Sequence, residues 1–171
     1  SRSNPRVVTC SITGFGETGP HCDRVSFDLV AQGMGGGMSI TGQPDGEPTR
    51  SGIPIGDLGG SVMAVIGILS ALQARAKTRR GQHVDISMQD AQISLLSYMA
   101  TMHFLSGEIP GALGNAHFVH VPYGTYPTRD GHIIIAVIFD SFWDELMKIV
   151  DLPELNTPEN RKQPGRWKNR E

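Results

Sequence analysis

The chain has 171 residues, a size that suits one domain and is small for two. Lysine plus arginine number 15 and aspartate plus glutamate 17, a formal net charge of -2. That balance excludes a dominant, non-specific polyanion binder, which would carry excess base. With 39% hydrophobic and 19% charged residues, the chain is neither disordered by composition nor fibrous. Glycine stands out at 21 residues, well above the usual share of about 7%. The glycines cluster between apolar runs, which implies backbone shaped closely around something.

In chain order, Arg6 to Ile12 is β-branched and apolar, a buried strand leading into the loop Gly14-Phe15-Gly16-Glu17-Thr18-Gly19. Phe27 to Met34 predicts a short helix running into Gly35-Gly36-Gly37, and Met38 to Thr41 a short extended piece. Residues 42–52 carry Pro44, Gly46 and Pro48, a turn-rich loop. A helix is expected from about Ser61 to Lys77. It is apolar nearly all round, which predicts a central buried helix. Val62 to Leu72, the longest apolar run, is too short to span a bilayer.

His83 to Met88 alternates with period two and predicts a strand. Asp90 to Phe104 predicts one helix, ended by Gly107. Residues 106–122 read as an irregular connector. Beyond them, Tyr123 to Thr128 and His132 to Val137 flank Asp130-Gly131, a hairpin signal. Ser141, with Asp144 three residues on, reads as a capping box opening a helix whose apolar stripe is Phe142, Leu146, Ile149 and Val150.

The chemical candidates are few. The Gly14–Gly19 stretch matches GxGxxG after a strand, but Pro20 and a polar run follow it instead of a helix, so a turn-rich loop is the better reading. Gly35-Gly36-Gly37 lacks the Lys-Ser/Thr of a phosphate loop. No metal site is expected: His117 and His120, and His83 and Asp85, read as hydrogen-bonded or surface side chains. Cys10 and Cys22 form no disulfide framework and fit a reducing setting. No secretory signal pattern opens the chain. The expected location is the cytoplasm, or the mitochondrion in a eukaryote.

Asp57 is the strongest candidate. It stands alone between Glu47 and Asp85, among apolar residues and beside Gly56, Gly59 and Gly60. Those glycines would leave its side chain uncovered and admit a second molecule. The bland alternative is an N-cap aspartate serving the orphan N–H groups of the following helix. A helix N-terminus favours negative charge, which a carboxylate nucleophile also needs.

Four segments together resemble the class III CoA-transferases of the formyl-CoA transferase and carnitine CoA-transferase type. They are NPRVVTCSITGFGETGP, FDLVAQGMGGGMSITGQPDGEPTRSGIPIGDLGGS, KTRRGQHVDISMQDAQ and VPYGTYPTRDGHIIIAV, spread from Asn4 to Val137 in family order. Family members are longer, so the chain reads as a middle portion, inactive on its own. The resemblance implies an α/β fold: part of a Rossmann-like large domain over residues 1–105, a connector over 106–122, and the start of a small α+β domain over 123–171. It also implies interlocked homodimers, and no nucleic-acid or membrane partner.

The resemblance places the catalytic aspartate at Asp57. An acyl-CoA thioester is the substrate, no cofactor is tightly bound, and acyl-aspartyl anhydride and aspartyl-CoA thioester are the intermediates. It puts Val25, Ser26, Phe27 and Asp28 along the CoA. Related α-methylacyl-CoA racemases carry a proton-shuttling histidine where this chain has Phe27, which cannot exchange a proton. Transfer is therefore favoured over racemisation. A non-catalytic CoA- or nucleotide-binding module is the alternative of a different class. The resemblance suggests a dicarboxylic acid such as succinate or glutarate among the substrates, without assigning it as donor or acceptor.

Overall fold

The computed structural model describes residues 4–170. They divide into two compact units, the described residues up to 112 and those from 113 on.

The first unit is α/β. Strand β1 (Thr9–Thr13) pairs in parallel with β2 (His83–Ser87), with Ser11 opposite Asp85. The crossover between them contains α1 (Asp28–Met34), a 3-10 turn (Gly37–Ile40) and the long α2 (Ile55–Thr78). The expected extended piece at Met38 is thus a helical turn: Gly36, in the left-handed region at φ 83°, closes α1 back on itself. After β2, Ser87 caps α3 (Met88–Leu95) by accepting the Asp90 N–H at 3.1 Å. The helix expected over Asp90 to Phe104 is two helices. Ser97 sits at φ 49°, ψ -118° and breaks the path before α4 (Tyr98–Ser106), which ends on left-handed Gly107 as expected.

Helix α2 starts six residues earlier than expected and is not buried all round. Its buried residues are small: Gly56, Gly59, Gly60, Ala64 and Ala71. They fall at helical spacing on one face. A Cβ at Gly60 would lie 3.2 Å from Met88 Cγ and 3.5 Å from Ile12 Cγ2, and one at Gly59 would lie 3.0 Å from Leu95 Cδ1. Small residues let α1, α3 and the strands approach the α2 backbone. Val62, Val65, Ile66 and Leu69 point outward, with Val62 57% and Leu69 60% exposed. By length and composition alone α2 could cross a membrane. Its small-residue face is packed against α1, α3 and the two strands.

The second unit is a hairpin with helices. Strands β3 (Tyr123–Pro127) and β4 (His132–Ala136) are antiparallel, and the Thr128 N–H donates to Gly131 O at 2.9 Å across the expected turn. Helices α5 (Asp140–Ile149) and α6 (Gln163–Lys168) follow. The expected capping box does not form. Phe139 is the N-cap, and Asp144 accepts two bonds from Arg161 at 2.9 and 2.8 Å instead. The apolar stripe is also displaced: Trp143 is the buried residue of α5, and Ile149 is exposed. Arg166, 3% exposed, donates to the carbonyls of Val121, Asn160 and Arg161. Its guanidinium lies over the Trp143 ring, 5.3 Å from the centroid.

Candidate functional site

The parallel pair and α2 run in opposite directions. Near its start α2 meets Ile12 and Met88, at the carboxyl ends of the strands; further along, Gly67 meets Val84. The first turn of α2 therefore projects at the carboxyl edge of β1 and β2, where open α/β folds place their ligand sites. Asp57 lies in that turn.

The sequence left Asp57 open between cap and reactive group. The structure removes it from capping. Pro54 is the N-cap and Asp57 the third helical residue. A helix start leaves its first N–H groups without intrahelical partners. Here each is met without Asp57. Pro54 has no N–H, and Ile55 N–H donates to Ile53 O at 2.8 Å. Gly56 N–H donates to Asp28 Oδ1 at 2.8 Å, and Asp57 N–H points to the same oxygen at 3.4 Å. The cap comes from another helix. Among the described residues, the Asp57 carboxylate has no hydrogen-bond or ion-pair partner, and the residue is exposed.

Asp28 is itself held. Its Oδ2 accepts from Gln32 Nε2 at 2.8 Å, one turn along α1. Gln32, 1% exposed, accepts the Ser51 N–H on its Oε1 at 2.8 Å. One chain of contacts thus joins the loop before α2, helix α1 and the start of α2. Gln32 was missed in the sequence. The signal was present: Asp28 and Gln32 are four apart, the spacing at which helical side chains bond.

Val25, Ser26 and Phe27 lead into α1. Val25 and Phe27 are exposed, at 79% and 71%. A Cβ on Gly14 would run into Ser26, so Gly14 brings the glycine loop against this segment. That loop is pinned from the strands. Gly16 N–H donates to Thr13 Oγ1 at 2.9 Å and Glu17 N–H to Asp85 Oδ2 at 2.9 Å. His83 bonds Glu17 Oε2 through Nε2 at 2.9 Å and Thr9 Oγ1 through Nδ1 at 2.8 Å. The Glu17 carboxyl is held below its ordinary range, first by the Ser11 hydroxyl and then by His83. His83 and Asp85 both hydrogen-bond within this loop contact. Among the described residues no cluster of three metal-ligating side chains forms.

The glycines require a correction. They do not leave room for a ligand beside Asp57. Gly56, Gly59 and Gly60 are buried against α1 and α3, because without side chains they let those helices touch α2. A Cβ on Gly37 would meet Gln92 Nε2 at 2.7 Å, so the triple glycine packs against α3 rather than around a phosphate.

The family model for CoA-transferase family III matches residues 1–171. The chain is 40% identical over 149 residues to the succinate–glutarate CoA-transferase of Agrobacterium fabrum, covering 87% of this chain and 37% of that protein. It is 40% identical to the succinyl-CoA:mesaconate CoA-transferase of Haloarcula hispanica, covering 89% of this chain and 39% of the relative. A crystal structure of a CAIB/BAIF family protein from Brucella suis superposes with a TM-score of 0.82 at 39% identity, covering 98% of this chain and 44% of the other. The chain thus spans about two fifths of the length of the relatives it matches. On these matches, with the α/β fold to which they correspond, the chain belongs to CoA-transferase family III.

Proposed function

We propose that the whole protein moves CoA from an acyl-CoA donor to a free carboxylic acid, with Asp57 as the nucleophile. The observation that carries this is a carboxylate in the first turn of α2, at the carboxyl ends of parallel strands, relieved of capping by Asp28. It is accessible and unpaired among the described residues, and the helix N-terminus favours its negative charge.

In the proposed sequence, an Asp57 oxygen attacks the thioester carbonyl and the C–S bond breaks. CoA leaves as a thiolate, and an acyl-aspartyl anhydride remains. The thiolate then attacks the aspartyl carbonyl, releasing the donor acid and forming aspartyl-CoA thioester. The acceptor carboxylate attacks that carbonyl, expels the thiolate and forms a new anhydride. Attack of the thiolate on the acceptor carbonyl gives the product thioester and returns the free carboxylate. Each covalent step keeps the thioester's energy within the protein. The intermediates need shielding from water. Since Asp57 is exposed here, we assign that cover to residues outside this chain, including a second copy in a homodimer.

The exposed side chains of Val25 and Phe27, with Ser26 between them, offer a surface for the CoA chain; Asp28 joins that segment through its backbone, its carboxylate being committed to α2. The names of the relatives point to succinyl-CoA as donor and a dicarboxylate such as glutarate as acceptor. The test is transfer from succinyl-CoA to labelled glutarate by the whole protein. Asp57→Ala is expected to abolish it, and normal transfer by that variant would refute the assignment. Incorporation of solvent deuterium at the α-carbon at the catalytic rate would point to isomerisation instead.

A further inference from the structure

Among the described residues, Asp28 is the one outside α2 whose side chain receives the N–H groups of that helix start, and both of its oxygens are engaged. Such trans-capping has a geometric consequence. The acceptor Oδ1 lies 2.8 Å from Gly56 N and 3.4 Å from Asp57 N, so it sets the backbone from which the Asp57 side chain departs. A Cβ on Gly56 would come within 3.0 Å of Ala31 Cβ and Asp28 O, so the α1 backbone fixes the same turn from the side. Gln32 and Ser51 fix the far oxygen and the approaching loop. A self-capping Asp57 would have its carboxylate occupied by N–H groups.

We propose that Asp28 is a positioning residue for the transfer reaction: by capping α2 from α1, it leaves the Asp57 carboxylate free and holds it in line for attack. The proposal rests on the reading of Asp57 as nucleophile. Asp28 acts through the helix start and not on the substrate. Its loss changes the chemical step more than thioester binding.

The experiment compares variants of the whole protein in succinyl-CoA to glutarate transfer, with thermal melting alongside. Asp28→Ala is expected to lower kcat by about 100-fold, the scale of a small misplacement of a reacting group, with KM for succinyl-CoA unchanged. Asp28→Asn keeps an oxygen for the Gly56 N–H but sets an NH2 against Gln32 Nε2, so it recovers part of the lost kcat. Asp28→Glu keeps the charge but displaces the oxygen, and is expected to fall below Asp28→Asn. This pair still decides the matter if Asp28→Ala does not fold. Ser87→Ala removes the cap of α3 and serves as the control, with a lower melting temperature and unchanged kcat.

Asp28→Ala at wild-type kcat, with Asp57→Ala inactive, would overturn the positioning role alone. A higher kcat for Asp28→Glu than for Asp28→Asn, or a kcat loss in Ser87→Ala matching that in Asp28→Ala, would also overturn it. Normal transfer by Asp57→Ala would instead remove the reading beneath it.

Discussion

The two units are built on different principles. Among the described residues, five of the six ion pairs lie in the second unit: Lys148–Glu145, Arg161–Asp144, Lys162–Asp140, Arg166–Asp140 and Lys168–Glu159. The first unit has one, between His83 and Glu17, and it serves the glycine loop. Elsewhere the first unit relies on small residues and on side chains that accept backbone N–H groups, as Asp28, Ser87 and Thr13 do. This contrast fits the chemistry proposed for each. A cation beside Asp57 would claim the carboxylate that must attack a thioester. A unit without that task can use salt bridges freely.

The tryptophans separate the two units experimentally, because Trp143 and Trp167 both lie in the second. The largest stability effect should come from Arg166→Ala. It strips the carbonyls of Val121, Asn160 and Arg161 of their donor in a buried setting. We expect a loss of about 3 kcal/mol, seen as an early tryptophan transition in urea. An unchanged midpoint would show that the arginine does not hold the second unit. Gly60→Leu tests the first unit. The added side chain meets Met88 and Ile12, and overpacking costs about 1–3 kcal/mol. The helical circular-dichroism transition should shift while tryptophan emission holds. A shift in both would show that the two units melt as one.

Ser87→Ala is smaller, about 1 kcal/mol for a lost cap, read by the same ellipticity melt. The pH response near neutrality should belong to the second unit. His117 Nδ1 accepts the N–H groups of Val119 and His120 at 3.0 and 3.2 Å. Burial, and then the neighbouring His120, hold its pKa below the ordinary 6.5. The unfolded chain therefore binds that proton more readily than the folded one. The stability His117 contributes is present above pH 6.5 and is lost as pH falls through its lowered folded value. The midpoint of tryptophan-monitored unfolding should fall as pH drops below 6.5, and His117→Phe should flatten the slope. An equal slope in the variant would assign the titration elsewhere. Lys148→Ala, at an exposed pair, should change nothing measurable in thermal melts.

How far the sequence could be read follows the same division of forces. Local patterns were legible. The period of two in His83–Ser87 and the Asp-Gly turn each mark a real strand or hairpin, because alternation and turn chemistry act within a few residues. The family motifs were legible too, and they singled out Asp57. What could not be read is decided by contacts far along the chain. Helix α2 looks buried all round because its large residues are apolar, yet packing selects its smallest residues for the interior. The break at Ser97 carries no glycine or proline to mark it. Ser141 and Asp144 satisfy a capping pattern, but Arg161 takes Asp144 from a later segment. Asp28 lies 29 residues before the backbone N–H of Asp57 to which it points, so no local rule could pair them.

The covalent aspartyl intermediates proposed at Asp57 can be trapped. The whole protein would be incubated with succinyl-CoA and hydroxylamine, digested, and the peptides carrying residues 51–75 sequenced by mass spectrometry. A hydroxamate on Asp57 is expected that appears only with the thioester and is absent from Asp57→Ala. A hydroxamate on another carboxylate, or transfer turnover with no modification at Asp57, would contradict it.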